Sequence, residues 1–239
     1  MLKNETWGLV LSGGGGKGAY EVGALKAIIE KEVPISAVSG ASVGALNAAL
    51  FATYDINSII EIWKGIRPEI ALSQDALGDL IRANAIPRLI RNSKISCYVN
   101  AYNLLTGRND EFLLNNYRGE DVVNILLASA AMPIIYPPVN FNNTLYWDGG
   151  LLDNTPIEIL YRQGYRNLLV IYLSPDEGAS TYKDANLITF APKEKWGFLD
   201  GTLNFNSKDI QERIEMGYRE TKRKLDEKCQ RLWALGRKF

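Results

Sequence analysis

Histidine is absent from the 239 residues, and with it go every Ser-His-Asp or Cys-His catalytic arrangement, every His-ligated zinc and every imidazole proton shuttle. Cysteine is scarce. Cys97 and Cys229 stand far apart in no metal-ligand spacing, which excludes a disulfide framework or a Cys-based zinc site and fits a reducing cytosol. Neither charge is in excess, since 27 Lys+Arg balance 27 Asp+Glu. The global positive field behind non-specific nucleic-acid binding is therefore missing, and nucleic acid is not an expected partner. No stretch reaches the roughly 20 apolar residues of a membrane span; the longest weakly polar run, residues 37–52, is rich in Gly, Ala and Ser and contains Asn47. The N-terminus, Met-Leu-Lys-Asn-Glu-Thr-Trp, mixes both charge signs and predicts no signal peptide. A cytoplasmic protein, touching membrane only peripherally, is the expectation.

What is present is ordinary globular material, 46% hydrophobic and 23% charged, in a length that suits one α/β unit. Residues 7–12 read as a short buried strand, and a Gly-rich bend over 12–16 leads into a helix. In that helix Val22, Leu25, Ile28 and Ile29 recur at the spacing of one buried face, with Glu21, Lys26, Glu30 and Lys31 assigned to the other side, and it stops before Pro34. A second strand over 35–39 and an Ala-rich helix to about residue 52 repeat the unit. Alternating strand and helix implies an α/β fold with a mostly parallel sheet. Residues 59–94 read as an inserted helical cap, 95–101 as a strand, 121–131 as a helix, 145–147 and 168–173 as strands, and 208–228 as a charged amphipathic helix packed on the surface. No repeat or linker divides residues 1–239, so one domain is expected.

Chemistry concentrates in three places. Gly40-Ala41-Ser42-Val43-Gly44 matches G-x-S-x-G between a strand and a helix, the context in which small neighbours let a serine sit exposed on a tight turn. Gly13-Gly14-Gly15-Gly16-Lys17-Gly18 also joins a strand to a helix. It resembles a dinucleotide fingerprint superficially, but no acidic residue closes a second strand about 20 residues on, and the P-loop register is absent. Consecutive glycines exposing backbone N–H groups at a helix start suit an anion, and beside a nucleophile that anion is an oxyanion. Asp148 ends an apolar strand and precedes Gly149 and Gly150. Without histidine, the base for a serine hydroxyl must be Asp, Glu or Lys, and a Ser42–Asp148 dyad is feasible if the site raises the aspartate above its free pKa of about 3.9.

In order, these features resemble the bacterial patatin-like phospholipases. Ala128-Ser129-Ala130-Ala131-Met132-Pro133 and Pro137-Pro138-Val139 are similar to the stretch that precedes the Asp motif in that family, and the resemblance covers about residues 6–175. It implies a three-layer α/β/α sandwich, a Ser42–Asp148 dyad that needs no histidine, metal or organic cofactor, and an oxyanion hole from the backbone of Gly13, Gly14, Gly15 and Gly16. Lys17, Gly18, Gly40, Gly44, Gly149 and Gly150 complete the motifs. The activity implied is that of a serine lipid acyl hydrolase cleaving fatty-acyl esters of phospholipids or lysophospholipids.

Two other readings stay open at this level: a nucleotide-binding module built on the glycine loop, and a catalytically silent lipid-binding relative. Lys17 either holds the loop or attracts an anionic head group. Arg82, Arg88, Arg91 and Lys94 lie among apolar residues with no acidic residue after Asp79 in that stretch, a composition that can lie on anionic lipid or form an ordinary solvated helix face. Peripheral membrane contact, if made, is expected there. Beyond about residue 175 no motif can be placed.

Overall fold

The computed structural model describes residues 6–177 and 182–234. Its centre is an eight-stranded sheet. Strands β1 (Trp7–Leu11), β2 (Ile35–Gly40), β3 (Ser96–Asn103), β7 (Asn167–Ile171) and β8 (Asn186–Phe190) run parallel in the order β3-β2-β1-β7-β8. At one end β4 (Arg108–Leu113) and β6 (Thr144–Asp148) both pair antiparallel with β3, and β5 (Val139–Phe141) pairs antiparallel with β6. The sheet is thus mixed but mostly parallel, as the strand-helix alternation predicts.

The two faces of the sheet follow from the period-2 alternation of its strands. Leu9, Leu11, Val38, Leu169 and Ile171 face one hydrophobic core, while Val10, Ala37, Leu168 and Val170 face another beside Ile157 and Leu160. Over the first face lie α1 (Ala19–Glu30), α2 (Val43–Thr53), α7 (Glu120–Ser129) and α9 (Ser207–Ala234); the second is covered by α8 (Ile157–Arg162). Between α2 and β3 come α3 (Ile56–Gly65), α4 (Pro68–Ala71), α5 (Gln74–Ala83) and α6 (Ile86–Leu89). Their buried residues Ile59, Trp63, Leu77, Ile81 and Ile86 join the first core without a break. Asp55 and Ser73 cap α3 and α5 by accepting from backbone N–H groups of their first turns.

Two expectations need correction. Glu21 is fully buried, not solvated, because α1 is covered on both sides: α9 crosses it where Gly23 and Gly217 let the backbones touch, a Cβ on Gly217 falling 2.0 Å from the Tyr20 carbonyl oxygen. The Glu21 carboxyl faces α2, where Asn47 Nδ2 donates to it at 2.8 Å. Asn47 also accepts from Trp63 Nε1 at 2.8 Å, so one buried polar chain ties α1, α2 and α3 together. Conversely Ile29, assigned to the buried face, is 37% exposed. Strands β4, β5 and β8 have no counterpart in the sequence reading, and the C-terminal helix runs longer than expected.

Candidate active site

Ser42 sits between β2 and α2 at φ 55° and ψ −127°, a conformation that costs a non-glycine residue free energy and persists only where the surroundings enforce it. They do so by close approach. A Cβ on Gly40 would lie 2.2 Å from the Gly44 carbonyl oxygen, and one on Gly44 would lie 2.5 Å from that of Leu11, so only glycine lets the turn close over the end of β1. The Ser42 N–H donates to Ser129 Oγ at 3.1 Å, which assigns a task to the Ala128-Ser129-Ala130 stretch. Val43 N–H, the first of α2, has no acceptor among the described residues.

Strand register brings Asp148 to the same place. Residues 98 and 99 of β3 pair with both β2 and β4, and residues 101–103 pair with both β6 and β4. A strand has two edges, so β2 and β6 share the edge opposite β4, aimed at each other end to end. β2 ends at Gly40 opposite Val99, β6 ends at Asp148 opposite Ala101, and only Asn100 separates them. Asp148 is 5% exposed. Its N–H donates to the Ala131 carbonyl at 3.0 Å, Gly150 N–H donates to its Oδ1 at 2.7 Å, and the Ser42 side chain lies near enough to favour its ionised form. Burial pushes its pKa from 3.8 up to about 6, against the smaller lowering by the nearby Ser42 side chain and the hydrogen bond from Gly150.

The glycine loop completes the frame. Gly13 N–H donates to the Asn154 carbonyl at 2.9 Å, and Asn154 Nδ2 donates to the Gly13 carbonyl at 3.1 Å. Asn154 thereby clamps the loop to the segment that follows Asp148. Because its N–H is engaged, Gly13 is not a free donor, a departure from the four-glycine anion hole read from the sequence. Gly14 and Gly15 N–H groups have no acceptor among the described residues. Gly15 adopts φ +57°, and a Cβ there would meet the Thr202 carbonyl oxygen at 2.2 Å; one on Gly16 would meet that of Asn204 at the same distance. Residues 201–204 therefore fill the space left beside Gly15 and Gly16, and that side of the loop is closed to a pyrophosphate.

Gly14, Gly15, Ser42, Val43 and Asp148 line a cavity of about 380 Å³. Away from them its wall is apolar, with Leu46, Leu50 and Trp63 from α2 and α3 and Leu77, Leu80 and Ile81 from α5. Lys17 and Glu177 form a polar corner. Half-burial lowers the Lys17 pKa, partly offset by Glu177 and Asp200, while burial raises that of Glu177.

The Patatin profile, described as patatin-like phospholipase, matches residues 9–91 and 67–161. The chain belongs to the patatin-like phospholipase family. Among curated relatives, Lysophospholipase NTE1 of Candida albicans is 24% identical over 194 residues, 72% of this chain and 13% of its own length. Lysophospholipase NTE1 of Cryptococcus neoformans var. neoformans serotype D is 27% identical over 187 residues, 71% of this chain and 11% of its own. The chain thus spans a small part of these fungal relatives. Among solved structures, VipD from Legionella pneumophila superposes with a TM-score of 0.53 at 14% identity, over 93% of this chain and 67% of that one. The type III effector protein ExoU gives 0.53 at 14%, over 92% and 53%. These two share its α/β fold.

The three sequence motifs Gly13–Gly18, Gly40–Gly44 and Asp148–Gly150 converge on one cavity, with Gly16 and Gly18 packed behind it: a Cβ on Gly18 would strike Val43. A Cβ on Gly149 would lie 2.2 Å from Asn100 Oδ1 and one on Gly150 2.7 Å from Asn154 Oδ1, so both glycines allow packing behind Asp148. Sequence reading missed Ser129, Asn100, Asn154 and Glu177 as site components. The basic stretch is changed: Arg82, though exposed, is engaged by Asp79 and by Glu120 of α7, which leaves the exposed Arg88, Arg91 and Lys94 as its members outside any ion pair among the described residues. No helix among the described residues is long and apolar enough to cross a membrane, and no cluster of three His, Cys, Asp or Glu suits a metal among them.

Proposed function

We propose that this patatin-like chain is a serine lipid acyl hydrolase in which Ser42 attacks the carbonyl carbon of a fatty-acyl ester. The supporting observation is the Ser42 side chain beside a buried Asp148, near enough to favour its ionised form, both lining one end of an apolar cavity. Asp148 accepts the hydroxyl proton as the Ser–C bond forms. Its pKa of about 6 keeps it ionised at neutral pH while making it a stronger base than a free aspartate. The tetrahedral oxyanion is stabilised by the N–H groups of Gly14 and Gly15, joined by Val43 N–H at the start of α2. Collapse returns the proton through Asp148 to the leaving alcohol and leaves an acyl-Ser42. Water, deprotonated by the same carboxylate, then releases the fatty acid. These steps use only the chain's own groups, the ester and water.

The apolar wall suits an acyl chain, and the fungal relatives are named lysophospholipases; phospholipid or lysophospholipid is the substrate class we assign. Motif spacing leads us to group the chain with the bacterial type of the family, a finer assignment than the fungal relatives support. We treat residues 1–239 as one hydrolase unit with residues 59–94 inserted as a cap, acting in the cytoplasm at lipid surfaces. The test is hydrolysis of a short-chain p-nitrophenyl ester. Ser42→Ala and Asp148→Asn should each abolish turnover with unchanged circular dichroism; near-normal turnover by either removes the dyad, and an inactive parent protein makes the chain a silent relative.

A further inference from the structure

Nine large apolar side chains are strongly exposed among the described residues, and six of them come from the segments that line the cavity. Leu72 follows α4 and lines the cavity itself, as do Leu151 and Phe198. Leu152 and Leu199 are their chain neighbours, and Ile134 adjoins the lining residue Pro133. Such clustering is not a random scatter of single surface hydrophobics, which is normal, but a contiguous feature that requires explanation.

Contacts make the segments continuous. Tyr136 Oη donates to the Ala71 carbonyl, and Gln74 Nε2 donates to the Pro137 carbonyl at 3.2 Å, so the loop bearing Ile134 is fixed to α4 and α5. On the other side Arg67 Nη1 donates to Ser207 Oγ at 3.2 Å, and Arg67 and Pro68 share a surface groove with Leu199. The start of α4 thus lies against the 198–207 segment while its end holds the Ile134 loop. Ile134 is held fully exposed at φ +77°, a conformation unfavourable for a β-branched residue. Phe198–Thr202 forms a π-helical turn, a form often found at functional sites, that presents Leu199 at 77% exposure.

We propose that this rim is a docking surface for an uncharged lipid layer, through which the protein seats its cavity mouth on the surface that holds its substrate. The occupant follows from the rim's chemistry. Residues 133–137 and 149–152 carry no charge, and the flanking Arg67, Glu69, Asp153 and Asp200 have no positive excess. Anionic lipid therefore gains no attraction there, whereas apolar side chains entering the acyl boundary of a zwitterionic layer are stabilised without counterions. The rim meets the same cavity that Ser42 and Asp148 line, so docking delivers an acyl chain directly to it. This inference rests on the lipid-hydrolase reading for its purpose but not for its test.

The test is flotation of the full chain with phosphatidylcholine vesicles at low and high salt, beside hydrolysis of a soluble ester. The parent should float equally at both salts. The triple variant Ile134→Asn, Leu152→Gln, Leu199→Gln, whose residues do not line the cavity, should partition about a hundredfold less and hydrolyse the soluble ester within about twofold of the parent. Leu199→Trp, which misfolding cannot mimic, should float at least as well and show a blue-shifted emission with vesicles. Flotation of the triple variant like the parent, binding of the parent only to anionic vesicles, or a parent dimer that the triple variant turns into monomer each overturns the proposal. A parent that floats through the rim but hydrolyses no ester refutes the hydrolase reading and leaves the rim standing.

Discussion

Gly40 and Asp148 end two strands that meet head to head on one edge of β3, opposite Val99 and Ala101 with Asn100 between them. The serine elbow and the aspartate are 106 positions apart in sequence, yet a single strand sets their separation. Asn100 fills the gap, its Nδ2 donating to the Asp153 carbonyl at 2.9 Å, and Gly149 packs against it.

Gly149→Ala tests this arrangement. The added methyl would fall 2.2 Å from Asn100 Oδ1 and 2.5 Å from the Asn100 carbonyl oxygen, so the Asp148 segment must move. A displacement of about 1 Å at a catalytic group costs on the order of a hundredfold in rate. Steady-state kinetics should show kcat lowered by about that factor; unchanged kcat would mean the register does not set the dyad.

The buried Asp148 carboxyl binds its proton more tightly in the folded chain than in the unfolded one. Between pH 3.8 and about 6 the native state therefore holds more protons, and its stability falls as pH rises through that window. Above it the ionised group costs roughly 1–3 kcal/mol. Asp148→Asn should accordingly be at least as heat-stable as the parent at pH 7.5, with the advantage shrinking toward pH 4, measured by thermal unfolding. Activity runs the other way: kcat/KM of the parent should fall as pH drops through about 6, where the base becomes protonated.

For Gly15→Ala, backbone and neighbour object together. The φ of +57° disfavours a side chain, and the Thr202 carbonyl lies where the methyl would be. Redirecting one oxyanion donor costs about 3 kcal/mol in transition-state stabilisation, a fall in kcat of about a hundredfold with KM little changed. A change confined to KM would place Gly15 outside the anion hole.

Glu21 makes a separate prediction about the scaffold. Burial raises its pKa well above the ordinary value, and Asn47 Nδ2 is the hydrogen-bond donor that faces it. Glu21→Gln should leave thermal stability nearly unchanged at neutral pH, whereas Glu21→Ala, which strips Asn47 Nδ2 of this acceptor, should cost about 1–3 kcal/mol. Equal losses from both would show that the charge itself is held.

The fold class and the three motifs were legible because their signals are local: a buried strand, small residues, then a helix, twice over, and an Asp-Gly-Gly at a strand end. Strands β4, β5 and β8 were not. Arg-Asn-Asp-Glu begins β4 at an exposed edge, β5 alternates over only three residues, and β8 alternates only over its last three, after an exposed Asn, so none gives the strict alternation over about four or more residues by which strands are recognised. Glu21 misled because helical periodicity assumes one buried face, and α1 has two. Partners distant in sequence were invisible for the same reason: Asn154 clamps a loop 141 residues away, and Glu120 engages Arg82 across 38. Nothing in a linear pattern marks the 198–204 segment as the backing of the glycine loop.

The central claim is that Ser42 is the nucleophile, and covalent labelling reads it most directly. The protein is treated with a fluorophosphonate at neutral pH, digested and analysed by mass spectrometry. A single phosphonyl adduct on Ser42, slowed strongly in Asp148→Asn and absent in Ser42→Ala, is expected. An unlabelled Ser42, or an adduct on another serine with ester hydrolysis intact, would contradict it.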